Sequence, residues 1–280
     1  MYIQAVLACF LLLYSVASQA TLVKWHNSLE DSTWTFTGSA TECTLSQPVQ
    51  GFGTLSFNLQ AGKPLSFQLS SNRVKQDTYF IALHVMPPAW ENFAPFELEG
   101  VGSAIVSGIT SKMVINNAAP MFEQLMQGHW LNVAISVASG AANIEVSNVR
   151  FTRASDEFLA CQNRLLPMGF SQVRDNTFFL SPYSTKLSEL DLMRLDGIAR
   201  YIEAKGNIKK VLVDGYMNSN ARNSIKLRQS KEIADELASL LIERGVSPKL
   251  ISVRVHGGRY PKEKGQPADK GRIRVRVVQQ

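Results

Sequence analysis

The 280 residues suit two domains of ordinary size, and a hydrophobic content of 45% is enough for a sizeable core. Beyond the first twenty residues no stretch approaches the roughly 18 apolar residues a membrane-spanning helix needs, which argues against helical spans in the rest of the chain. The net charge of +6 is uneven: 7 Lys+Arg stand against 11 Asp+Glu up to Cys161, and 22 against 12 after it. An acidic first half therefore precedes a basic second half, and a basic face suits an anionic polymer, a membrane surface or nucleic acid.

Residues 1–20 carry no charged side chain, and Ala5 to Val16 are almost all apolar. Ser18-Gln19-Ala20 then places small residues at the positions a signal peptidase reads, so this segment is expected to be a signal peptide cleaved after Ala20. Met1 to Gln4 lacks Lys or Arg, which leaves an uncleaved anchor as the alternative; the short apolar run speaks against it. Export removes nucleic acid from the partners of the basic half. It also leaves two cysteines, Cys43 and Cys161, which in an oxidising compartment either pair or stay as two buried thiols.

Residues 21–160 read as a β-rich domain. Leu55 to Leu59 and Leu65 to Leu69 alternate apolar and polar residues, and Tyr79 to Val85, Leu131 to Ser136 and Ile144 to Phe151 are further strand-like runs. Met86-Pro-Pro-Ala-Trp90 must turn, because paired prolines cannot join a central ladder. Pro120 to Gln127 reads as a short helix with proline in its first turn. Residues 165–280 change period. A short strand at Phe178 to Ser181 precedes a helix with Ser188 as N-cap and Asp191 in the capping-box position. Leu192, Leu195, Ile198, Ala199 and Ile202 repeat at helical spacing, and Gly206 stands where a helix stop is expected. The strand Val211 to Val213, a polar loop from Tyr216 to Asn223, a second helix stopping at Gly245, a strand from Leu250 to Val255 and a last strand on Ile273, Val275 and Val277 complete the order. The fold class is thus α+β: a β-rich domain, then a β-α-β-α-β unit with one more strand, its mixed sheet covered by helices on one side.

The chemistry-bearing residues are sparse. His26, His84, His129 and His256 show no metal-ligand spacing, and no Cys-x-x-Cys, His-Glu-x-x-His, Gly-x-Ser-x-Gly or phosphate loop occurs, so neither cofactor nor catalysis is expected. Asp214 reads as a capping carboxylate beside Gly215. Arg272, Arg274 and Arg276 put three cations on one face of the last strand, either a surface for an anionic polymer or a solvated edge strand.

On Phe178 to Asp196, Val211 to Gly215, Glu243 to Val246 and Val253 to Pro261, residues 165–280 resemble the OmpA-like domain, which other proteins use to hold peptidoglycan. Met168-Gly-Phe170, Lys186 to Leu190, Arg194 to Tyr201 and His256 to Pro261, with Glu42-Cys43, Gly51-Phe-Gly53 and Met86 to Trp90 in the first half, make the whole chain resemble the MotY family of periplasmic flagellar motor proteins. That resemblance implies a non-enzymatic component of a ring around the flagellar basal body. Its first domain would meet the basal body and a MotX-like partner, its second would meet peptidoglycan, and the ring would help hold stator complexes. It also implies a Cys43–Cys161 disulfide. The alternative is an OmpA-family envelope protein unrelated to motility.

The ligand-holding residues depart from the OmpA-like pattern, in which Gly-His-Thr-Asp is followed by an Arg fifteen residues after the Asp; these grip diaminopimelate. Here Gly215 is followed by Tyr216, Met217 and Asn218, and the count reaches Ile233. Asn218 cannot pair with an ammonium group, and Ile233 has no guanidinium fork for a carboxylate. Each lost bond is worth about 1.5–3 kcal/mol of binding. Arg222, Arg228 and Lys231 lie nearby in sequence, and Arg272 stands where the last strand contributes, so the expected peptidoglycan site is a degenerate one.

Overall fold

The computed structural model describes residues 22–71, 78–88, 90–91, 100–107, 112–137, 140–181, 183, 186–260, 266–267 and 270–280. The segment read as a leader, residues 1–20, lies outside the described residues, as do Ala89 and Pro261.

The first half runs β1 (Leu22–Trp25), β2 (Thr35–Gly38), β3 (Glu42–Val49), β4 (Gly53–Gln60), β5 (Ser66–Ser71), β6 (Thr78–Met86), β7 (Gly100–Ser107), β8 (Lys112–Asn116), α1 (Ala119–Met126), β9 (Trp130–Val137), β10 (Gly140–Val146) and α2 (Phe151–Gln162). One sheet has the order β1-β10-β9-β6-β7 and a second the order β2-β3-β4-β5-β8. Alternation decides which side chains enter the core: Cys43, Leu45, Gln47 and Val49 of β3 point inward, as do Ile81, Leu83 and Val85 of β6. The two sheets bury these faces in one shared core. Pro87 and Pro88 follow β6 directly, where the ladder ends.

Helices α1 and α2 close this core with aromatic side chains. Phe122 lies 5.3 Å from Phe57, 5.4 Å from Phe151 and 5.3 Å from Phe158, and Trp34 meets Phe151 edge-on at 5.1 Å. Such pairs add about 0.5–1.5 kcal/mol each beyond their burial. Helix α2 corrects the sequence reading, which ran a strand from Ile144 to Phe151. The strand stops at Val146, and Arg150 takes a left-handed backbone (φ 57°) that reverses the chain into the helix. Phe151, Ala154, Ser155, Phe158 and Cys161 then fall on one buried face.

The chain beyond α2 is strapped to the first half. Leu166 N–H donates to Ala40 O at 2.9 Å, and Gln172 Nε2 donates to Gly62 O at 3.1 Å while its Oε1 accepts from Gly169 N–H at 2.9 Å. Lys205 Nζ reaches Thr41 Oγ1 at 3.2 Å.

The second half contains α3 (Phe170–Val173), β11 (Asp175–Leu180), α4 (Glu189–Ala204), β12 (Ile208–Tyr216), α5 (Asn223–Glu243), β13 (Ile251–Gly257) and β14 (Gly271–Gln279). Ser188 Oγ accepts from Asp191 N–H at 3.1 Å and caps α4 as expected. Gly245, left-handed at φ 93°, ends α5: its N–H donates to Ile242 O and Val246 N–H donates to Leu241 O. Gly206 stands one residue past the extended cap of α4 without adopting that conformation.

The sheet order is β11-β14-β12-β13, with β12 and β13 parallel and the other pairs antiparallel. Both long helices pack on the face that carries Val211, Val213, Ile273, Val275 and Val277. The edge-strand reading of the final strand is therefore corrected: β14 is paired on both sides.

Candidate functional site

The loop that ends β12 and the sheet face without helices are the two places where functional side chains gather. At the first, Gly215 lies under α5, and a Cβ there would come within 2.2 Å of Ser230 O and 3.0 Å of Ala234 Cβ. Only glycine lets the helix backbone approach so closely. Gly215→Ala is expected to push α5 off the sheet and lower stability by about 1–3 kcal/mol, measured by urea unfolding.

Met217 and Ile233 are buried and fill the space beside Gly271. A Cβ on Gly271 would meet Ile233 Cδ1 at 2.2 Å and Met217 Cε at 2.8 Å. Two apolar side chains thus occupy the place next to the loop where a charged grip is expected from the motif. Asn218 is half-buried, and its Nδ2 is enclosed without an acceptor among the described residues. Arg222, Arg228 and Lys231 stand exposed on α5 or at its start. Arg228 pairs with Glu232, and Lys231 with Asp235, one turn along the helix. The structure brings Gly215 and Ile233 together in the α5–sheet interface and leaves these three cations outside it.

The second place is built by register. Asp214 of β12 lies opposite Arg254 of β13 and Arg274 of β14, and Tyr216 lies opposite Arg272. Asp214 has no exposed side-chain surface. Its carboxylate accepts two hydrogen bonds from Arg254, through Nε and Nη2 at 2.6 Å each, and one from Arg276 Nη2 at 2.9 Å. His256 Nε2 lies 2.9 Å from its Oδ1. Burial alone would push this carboxyl up; the bonds from Arg254, His256 and Arg276 outweigh it and hold the pKa at about 2. Asp214 is therefore an ionised hub, which corrects its reading as a cap.

Around the hub, Arg272 places its guanidinium 4.3 Å from the centre of the Tyr216 ring. Tyr216 stacks on His256 at 4.7 Å, and Tyr260 meets both rings edge-on. Arg274 forms a fork on Asp175, whose pKa is lowered chiefly by that hydrogen bond. The sequence reading missed Asp214 and Arg254 as partners. The available signal was polar alternation on three strands at once.

Comparison with known proteins places both halves. The MotY N-terminal domain family matches residues 25–167, and the OmpA family matches residues 181–274. The sodium-type flagellar protein MotY of Vibrio parahaemolyticus is 26% identical over 251 residues, covering 85% of this chain and 83% of that protein. Among solved structures, the peptidoglycan-associated lipoprotein from Burkholderia pseudomallei is 14% identical with a TM-score of 0.33, covering 36% of this chain and 89% of its own. The C-terminal domain of Helicobacter pylori MotB is 15% identical with a TM-score of 0.32, covering 38% and 85%. A match that spans half the chain, continued by an OmpA-family domain over the mixed sheet just described, makes this protein a member of the MotY family.

Proposed function

We propose that this chain is an exported, non-enzymatic component of a bacterial flagellar motor, standing in the periplasm as part of a ring at the basal body. Residues 21–160 would engage the basal body and a MotX-like partner, and residues 165–280 would contact peptidoglycan and help hold stator complexes. The observation that carries this reading is the order of the two family matches, MotY N-terminal domain then OmpA, along one chain. Export rests on the uncharged apolar leader of residues 1–20. Among the described residues no helix is long and apolar enough to cross a membrane.

The peptidoglycan contact is proposed as a departure from the motif. Gly215 is kept for packing, Asn218 and Ile233 supply no charge, and Ile233 with Met217 fills the space beside Gly271.

Deleting the gene in its own bacterium is expected to leave filaments assembled while swimming is lost, with full recovery on re-expression. Filament staining and soft-agar spreading measure the two traits separately. Normal spreading of the deletion strain would overturn the motor reading.

A further inference from the structure

We propose that the helix-free face of the β11-β14-β12-β13 sheet binds the anionic glycopeptide of the cell wall, in place of the motif pocket. This rests on the wall contact proposed above and names the surface that makes it.

Arg272, Arg274 and Arg276 alternate along β14 with the core residues Ile273, Val275 and Val277, so all three guanidinium groups lie on the face away from the helices. Arg254 joins them from β13, and its bond to the shared Asp214 places it on the same face. Arg272 is buried against the Tyr216 ring, so the exposed cations are Arg254, Arg274 and Arg276, and the described residues of the face supply two carboxylates, Asp175 and Asp214. Among the described residues the exposed cations of this face thus outnumber its carboxylates, three to two.

The pairing also fixes the cations in place. Asp214 and Asp175 hold Arg254, Arg276 and Arg274 by charge-assisted bonds, so little rotamer freedom is left to lose on binding. The side chains of Arg254, Arg274 and Arg276 nevertheless stay 41%, 41% and 39% exposed. Cations repeating every second residue, about 6.6–6.8 Å apart along a strand, suit an extended polymer that bears repeated carboxylates. A flat sheet face suits such a polymer better than a small enclosed ligand. Beside the motif loop, Ile233 and Met217 pack against Gly271 and offer no charge to a carboxylate.

Co-sedimentation of the full mature chain with purified sacculi, at about 20 and about 300 mM salt, tests this. Arg254→Gln with Arg274→Gln is expected to weaken binding about fivefold for each cation removed, and salt is expected to weaken the wild type. Because the loss variant is open to misfolding, Thr177→Lys supplies the converse. Thr177 lies opposite Arg274 in register, so lysine there adds a cation to the face and should tighten binding about fivefold, which unfolding cannot mimic. Arg228→Gln with Lys231→Gln, on the exposed side of α5, should bind as wild type. Wild-type binding by both face variants, or a loss that follows the α5 pair, would overturn the proposal. So would salt-sensitive self-association without sacculus binding, which would give the face to the acidic half of a second copy. Normal motility of the deletion strain would sink the motor reading alone, because the sacculus assay does not depend on it.

Discussion

Asp214→Ala is expected to cost about 3–5 kcal/mol of folding stability, the range for breaking a buried ionic cluster by removing one partner. The carboxylate is fully enclosed and is the common acceptor for Arg254, Arg276 and His256. Without it three donors converge on an empty space between β12, β13 and β14. Arg254 and Arg276 are partly exposed and can swing toward water, which favours the lower end of the range. The pH profile carries the same group. The folded pKa of about 2 lies below the usual 3.8, so the stabilisation is fully present above pH 3.8 and is lost as pH falls toward 2. The difference corresponds to about 2 kcal/mol. Urea midpoints at pH 7, 4 and 2.5 should fall steeply for the wild type across the lowest interval, and less steeply for Asp214→Asn. Parallel profiles would remove Asp214 from the account.

Strand alternation and helix capping were legible because they are local. The caps at Ser188 and Gly245 need only the residues around them, and the chain uses both as expected. Helix α2 was misread for a reason that is also local: Ile144 to Val149 is β-like in composition, and nothing in the letters announces a left-handed Arg150. The spacing of Phe151, Ala154, Phe158 and Cys161 carried the helical signal, and the preceding strand run obscured it. The Asp214 hub is different in kind. Its partners come from β13 and β14, and their meeting depends on a register that a one-residue slip would destroy. The same holds beside the motif loop. Counting residues places Ile233 at the position of the missing Arg, but only the packing reveals that Met217 fills the space with it against Gly271.

Loss of the Cys43–Cys161 bond is expected to lower the stability of the first half by about 4–5 kcal/mol. The bond is present, with Cα atoms 6.1 Å apart and a sequence separation of 118. Closing so long a loop removes much of the freedom of the unfolded chain, and the chain-entropy relation gives about 4.7 kcal/mol for a loop of about 100 residues. Both cysteines are buried in the first core, where the bond ties β3 to the last turn of α2. The second core contains no cysteine, so the damage should be confined to one half. Tryptophan fluorescence can tell the halves apart, since Trp25, Trp34, Trp90 and Trp130 all precede Cys161. Urea unfolding followed by that signal should shift to lower denaturant in Cys43→Ala with Cys161→Ala, and in the wild type under reductant. Mass spectrometry of the unreduced protein should show the two cysteine peptides joined. An unchanged fluorescence midpoint would mean that the aromatic core around Phe122 holds the first half together without the bond. Free thiols at both Cys43 and Cys161 would remove the bond itself.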